Sequence, residues 1–307
     1  MDLSLEEVLI TNGVQQALNL IFQLLIEPGS TVLVEEPTYS SMLPLLGLFG
    51  AQVKGIPMTD SGMDVDCLKQ EIRKQRPVLV YVMPNFQNPT GITTSHSNRE
   101  QILNICEEAE VPLVEDGFEE ELKYFGKAIL PIKSLDSKKI VLYLGTISKV
   151  MFPGLRIGWI AADAECIKRL AALKFVNDTS GNIMEQAALN LFFRSGAYEV
   201  QIKRMHREYR KRMKVALSEA RQQIPEGVFT CSKPAGGYTL WVTMKKPLLS
   251  EEELLERIEK GGVRVMPGRQ FFTRPGKNPC FRISIAHRDD NEIREGFRRL
   301  GGVLKRL

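Results

Sequence analysis

Cysteine is scarce and scattered in these 307 residues: Cys67, Cys106, Cys166, Cys231 and Cys280 are odd in number and include no Cys-x-x-Cys pair. That distribution excludes a disulfide-stapled scaffold and a cysteine zinc site, and it fits free thiols in a reducing cytoplasm. Histidine is rarer still. His96, His206 and His287 stand apart with no i, i+4 pair to put two imidazoles on one helix face, so no metal site is expected. Charge of one sign is lacking too. The 41 Lys and Arg against 37 Asp and Glu leave +4, too even a mixture to imply nucleic acid or anionic lipid as a partner. No run reaches the roughly 20 apolar residues of a membrane span; the greasiest, 17–26, is broken by Asn19 and Gln23. The opening MDLSLEEVLITNG is acidic where a leader would be basic. A cytoplasmic protein off the membrane is the expectation.

What is present is a globular balance, 43% hydrophobic and 25% charged, in a chain long enough for one large or two ordinary domains. From Thr31 to Ile160 short β-branched runs alternate with helical patterns, the rhythm of an α/β fold with a mainly parallel sheet. Strands are expected at 31–35, 52–56, 78–83, 112–115, 140–144 and 156–161, several of them apolar throughout, as strands covered on both faces are. Helices are expected at 39–49, 65–73 and 97–109, with Asp64 and Ser95 or Ser97 as N-caps, and a first helix just after Asn12-Gly13.

Beyond Asp163 the pattern turns helical. Residues 198–221 carry Ile202, Met205, Tyr209, Met213 and Ala216 at spacings of three and four. The opposite face holds Lys203, Arg204, Arg207, Arg210, Lys211, Arg212 and Lys214 and reads as a solvated face, not a nucleic-acid surface. Strands at 237–243, 263–266 and 280–286 and helices at 251–260 and 290–304 complete a smaller α+β part. The expected division is 1–195 for a large domain and 196–307 for a small C-terminal one.

The most specific cluster is Gly145-Thr146-Ile147-Ser148-Lys149, followed by Pro153-Gly154-Leu155-Arg156. A lysine after a buried strand, beside two hydroxyls and seven residues before an arginine, has the parts to bind a phosphorylated aldehyde. Lys149 would form the imine; Thr146, Ser148 and Arg156 would hold the phosphate.

Together with this string, Asn12-Gly13-Val14-Gln15, Glu36-Pro37-Thr38-Tyr39, Gln87-Asn88-Pro89-Thr90-Gly91, Val114-Glu115-Asp116 and Phe281-Arg282-Ile283-Ser284 resemble the pyridoxal-phosphate-dependent aminotransferases of class I/II over nearly the whole chain. The resemblance implies a fold type I architecture, with a seven-stranded-type sheet flanked by helices. It implies pyridoxal 5′-phosphate as cofactor, carried as an internal aldimine on Lys149. Gly13, Val14 and Gln15 would form a phosphate loop at a helix N-terminus, where the helix dipole favours the anion. Tyr39 would lie over the pyridine and Asn88 would donate to its phenolic oxygen. Asp116 would face the pyridine nitrogen, keeping the ring electron-poor. Arg282 would hold the substrate α-carboxylate, and Asn88 would also bind substrate; Gly236-Gly237-Tyr238 also fits the family pattern, with packing as an alternative role. The implied reaction moves an amino group from an amino acid to a 2-oxo acid, with Lys149 as anchor and general base.

Two departures stand out. Relatives have several tens of residues before the phosphate loop, which here begins by Thr11, so an incomplete substrate side is expected. Phe118 occupies the place of a tyrosine that bonds the phenolic oxygen, leaving that oxygen one donor short. The string from Glu115 to Tyr124 is also similar to the aminotransferase-like domain of GntR/MocR-type transcription regulators, which is the main alternative to an enzyme; a β-eliminating lyase would share the cofactor site. The resemblance further implies a homodimer, with residues 177–183 as the segment expected to reach the neighbour's cofactor.

Overall fold

The structure is a computed structural model that describes residue 1, residues 3–118 and residues 120–307. The chain opens with β1 (Val8–Thr11) and α1 (Val14–Leu25). It then alternates through β2 (Thr31–Glu36), α2 (Met42–Leu48), β3 (Gln52–Thr59), β4 (Gly62–Met63), α3 (Val65–Gln75), β5 (Leu79–Val82), α4 (His96–Glu108), β6 (Leu113–Asp116), β7 (Val141–Thr146) and β8 (Gly158–Ala161). Helices α5 (Ala164–Asp178), α6 (Ile183–Arg194) and α7 (Ala197–Gln223) follow. The remainder is β9 (Phe229–Cys231), β10 (Thr239–Met244), α8 (Glu251–Lys260), β11 (Met266–Pro267), β12 (Cys280–Ser284) and α9 (Asp290–Leu304).

The main sheet has the order β1-β8-β7-β6-β5-β2-β3-β4. Its middle five strands are parallel, with Val32 opposite Leu79, Val80 opposite Leu113 and Leu113 opposite Val141. Alternate residues serve opposite faces. Val34, Tyr81, Val114 and Leu144 pack under Ala17, Leu18 and Ile21 of α1 and Leu170 of α5, whereas Leu33, Val80, Leu113 and Val141 pack against Leu68 and Ile72 of α3 and Ile102 of α4. Burial on both faces explains the unbroken apolar runs of these strands, since each side chain of this size contributes roughly 1.5–3 kcal/mol. The helices start where the sequence marks them. Asp64 Oδ1 accepts the Cys67 N–H and Ser95 Oγ the Asn98 N–H, so Ser95 and not Ser97 caps α4.

The sheet has eight strands where seven were expected, because Gly62, at φ +130°, turns the short β4 back on β3. Strand β1, paired antiparallel with β8, was not anticipated; four residues of uneven burial give no alternation to read. Of 156–161 only Gly158–Ala161 is strand, because Arg156 sits left-handed at φ +51°. The helix expected at 39–49 is confined to Met42–Leu48, leaving Tyr39 in the turn before it. Only Met266–Pro267 pairs in the region of 263–266, and β9 was missed.

The second sheet, β11-β12-β10-β9, is antiparallel and packs with α7 and α9 around Met213, Ala216, Leu240, Phe281, Phe297 and Leu300. Helix α7 buries Met213 and Ala216, half-buries Ile202, Met205 and Tyr209, and leaves Lys203, Arg204, Arg207, Arg210, Lys211 and Lys214 exposed.

Candidate active site

The carboxyl ends of β5, β6 and β7, the N-terminus of α1 and strand β12 enclose a cleft of about 270 Å³. An open α/β sheet places its ligands at such an edge. Val14, Gln15, Tyr39, Asn88, Asp116 and Phe118 line it together with Thr146, Ser148, Lys149, Arg156 and Arg282. Gly13 adjoins it as the N-cap of α1.

One end is built for an anion. No side chain caps Gly13, so the first-turn N–H groups of α1 face the cleft without an intrahelical acceptor. Arg156 Nη2 donates to the Asn12 carbonyl at 3.0 Å and lies so near Gly13 that a Cβ there would fall 2.6 Å from it. Glycine is required at 13 for that approach and for its φ of +79°. Thr146 Oγ1 and Ser148 Oγ lie 3.0 Å apart, and the Ser148 N–H donates back to Thr146 Oγ1, which fixes the turn that presents Lys149. Behind this corner Asp178 accepts from Gln16, Asn12 and Lys174, so the start of 177–183 is tied to the base of α1.

The middle of the cleft holds Asp116, 2% exposed. Its Oδ2 accepts the Tyr81 O–H at 2.7 Å and its Oδ1 the Phe118 N–H at 3.1 Å. Burial pushes its carboxyl up to about 6, opposed by those two hydrogen bonds and by the charge of Lys149. Sequence reasoning missed Tyr81; the available signal was a tyrosine inside an apolar strand, whose hydroxyl needs a buried partner. The Lys149 ammonium lies over the Tyr238 ring, 5.7 Å from its centroid, which brings Tyr238 into the cleft as more than a packing residue.

At the far end Arg282 Nη1 donates to Asn88 Oδ1 at 2.6 Å, and its guanidinium stacks over Phe271 at 5.1 Å. Phe118 lines the wall with a side chain that has no donor, and Tyr39 stands at the turn after β2.

The donor set fits pyridoxal phosphate. A dianion suits the α1 terminus with Arg156, Thr146 and Ser148, and a protonated ring nitrogen would supply the cation that buried Asp116 calls for. Lys149 lines the same cleft, and its charge acts on Asp116.

The family described as aminotransferase class I and II matches residues 1–300. The chain is 34% identical to aromatic-amino-acid aminotransferase 1 of Thermococcus litoralis over 304 residues, 97% of this chain and 72% of that protein. It is 31% identical to the HTH-type transcriptional regulator YdfD of Bacillus subtilis over 307 residues, 100% of this chain and 63% of the regulator. The crystal structure of Pyrococcus horikoshii kynurenine aminotransferase superposes with a TM-score of 0.94 at 34% identity, covering 99% of this chain and 76% of that one. With its anion-suited corner, buried aspartate and strand-end lysine in one cleft, the chain belongs to the class I and II aminotransferases, a pyridoxal-phosphate-dependent family.

Proposed function

We propose that this chain transfers an amino group between an amino acid and a 2-oxo acid, with Lys149 as the anchor of the cofactor and the proton carrier. One observation carries the reading: Asp116, Lys149 and the uncapped start of α1 line one cleft, partners of the kinds that a pyridine nitrogen, an aldehyde and a phosphate require. Bound pyridoxal phosphate supplies a ring that takes up the electron pair left when the substrate loses its Cα proton. The α1 N–H groups, Arg156, Thr146 and Ser148 hold the phosphate. Asp116, fixed by Tyr81 and the Phe118 amide, keeps a proton on the ring nitrogen. Arg282 receives the substrate α-carboxylate through a planar fork and thereby aims the Cα–H bond at Lys149 Nζ. Lys149, as a free amine, would take that proton as a general base and give it up again as a general acid.

The test is direct. Protein reconstituted with pyridoxal phosphate should absorb in the visible, and borohydride should leave a pyridoxyl group on Lys149. Mapping of the label to another lysine sinks the reading. The match to YdfD favours a second one, an effector-sensing domain with the same cofactor contacts. Conversion of amino acid to 2-oxo acid over many cycles separates the enzyme from the sensor, and stoichiometric ammonia release separates a lyase from both.

The assembly proposed with this function is a homodimer in the cytoplasm. Phe175 and Val176 at the end of α5, Ile183, Met184 and Leu191 on α6 and Val200 on α7 are 66–84% exposed, apolar side chains that a second copy would cover. Val176→Asp with Met184→Asp should give a monomer in sedimentation; an unchanged dimer would remove this surface from the interface.

A further inference from the structure

Glu35, on β2, is 1% exposed and has no role in the steps above. Its Oε1 accepts the Met83 N–H at 3.1 Å. Its Oε2 is buried with no hydrogen-bond partner among the described residues. Glu115 on β6 shows the contrast: both of its oxygens are satisfied, at 2.8 Å each, by the N–H groups of Ile132 and Lys133. A charged carboxylate with one bare oxygen in a dry interior is costly; a neutral acid in the same place is much less so.

The groups that act on Glu35 come from the neighbouring strands and loops. They are the Met83 amide and the Gln87 side chain after β5, the Asp116 carboxylate on β6, and the Tyr81 phenol on β5. No cation is among them. Asp116 has Lys149 to offset its charge, whereas the one charged group acting on Glu35 is Asp116, which repels its anion; the Met83 amide and the Gln87 side chain favour the anion but are outweighed by burial. The position is also mechanical. Met83 begins the loop that carries Asn88, and Gln87 in that loop donates to the Pro37 carbonyl at 2.6 Å, tying it to the segment that carries Tyr39. Glu35 lies beneath that tie.

We propose that Glu35 is a positioning residue held as a neutral acid: it fixes the Met83 amide under the Asn88 loop without adding a second negative charge beside Asp116. Burial raises its carboxyl to about 8, in keeping with the geometry.

The first experiment needs no cofactor. A glutamic acid whose folded-state value lies above its unfolded one retains a proton that the unfolded chain gives up, so its contribution falls as pH rises through that window and is constant above it. Glu35→Gln has no such proton. The unfolding constant of the wild-type chain divided by that of Glu35→Gln should therefore rise about tenfold per pH unit between roughly pH 5 and 8, then level off. A ratio independent of pH overturns the proposal. Should the variant fail to fold, infrared spectroscopy of the Glu115→Gln chain decides, since burial raises the Glu115 carboxyl to about 7 as well: a protonated-carboxyl stretch persisting from pH 7 to 8 supports the proposal, and its absence overturns it.

The second experiment rests on the proposed function and reads the positioning role. Glu35→Leu removes the acceptor of the Met83 N–H and should raise the dissociation constant for pyridoxal phosphate at least about tenfold, the scale of one stranded buried donor. Glu35→Gln, which keeps an acceptor, should restore it to within about twofold. A glutamine variant as weak as the leucine variant would mean that charge, not position, is what Glu35 supplies. Loss of the Lys149 label with the pH slope intact would count against the cofactor reading alone.

Discussion

Arg282 and Asn88 are 194 residues apart in the chain and joined by a 2.6 Å hydrogen bond, the guanidinium donating to Asn88 Oδ1. The bond ties the second sheet to the loop after β5 across the cleft. It occupies the Asn88 carbonyl oxygen, so the amide has its Nδ2 as the donor for the role proposed for it. In the proposed reaction one arginine would thus orient a cofactor contact while its own fork receives the substrate.

Arg282→Lys should weaken α-carboxylate binding by about 1.5–3 kcal/mol, the range for hydrogen bonds to charged groups, because a point charge replaces a planar fork. The visible band of the bound cofactor should move little. Substrate titrations followed by absorbance check both, and a variant that sheds cofactor while keeping substrate affinity would place Arg282 on the wrong partner.

Asp116→Asn should act in two directions. With pyridoxal phosphate bound, kcat should fall at least about a hundredfold, the scale of losing one preorganised electrostatic partner. Without cofactor the variant should be the more stable protein at pH 7. Burial holds the Asp116 carboxyl up at about 6, so the folded chain keeps a proton that the unfolded chain loses, and stability declines as pH rises from the ordinary aspartate range to about 6. The difference is at most about 3 kcal/mol at 1.36 kcal/mol per unit. Denaturant titrations at pH 4 and pH 7 should show the gap opening only at the higher pH.

Gly13→Ala should lower phosphate affinity with little global unfolding. A methyl at φ +79° is strained, and it would meet Arg156 Nη2 at 2.6 Å. Displacing that guanidinium costs one charge-assisted contact, about 1.5–3 kcal/mol. Isothermal titration with pyridoxal phosphate reads the loss directly; unchanged affinity would remove Arg156 from the phosphate corner.

Phe118→Tyr should lower the pH at which the visible band of the bound cofactor gives way to its near-ultraviolet band. A phenol at this place would donate to the phenolic oxygen of the ring, stabilising its anionic form by about 0.5–1.5 kcal/mol, or up to roughly one pH unit. Spectral titration of the two proteins checks it, with an unchanged or raised midpoint showing that position 118 does not face that oxygen.

Much of this protein was legible in its chain because the signals are local. The apolar runs of β2, β5, β6 and β7 follow from burial on both faces, and α8 and α9 are bounded by Ser250 and Asp289, whose side chains cap them. The strings around Gly13, Asn88, Asp116 and Lys149 each belong to one turn or strand end, so they could be picked out as candidates without the fold, which brings them to one cleft. What stayed hidden was relational. Strand β1 exists because β8 offers it an edge, β4 because Gly62 reverses the chain, and Arg156 leaves the strand pattern because its left-handed turn carries the guanidinium over Gly13. Tyr81 under Asp116, Arg282 against Asn88 and Glu35 beneath Met83 are contacts between distant segments, and no spacing encodes them. The sequence by itself determined which residues could do the chemistry, since that depends on side-chain type and local backbone. Only the tertiary structure decided which carboxyl is paired, which is orphaned and which amide is aimed, because burial and hydrogen bonding are properties of neighbours that the chain brings together only when folded.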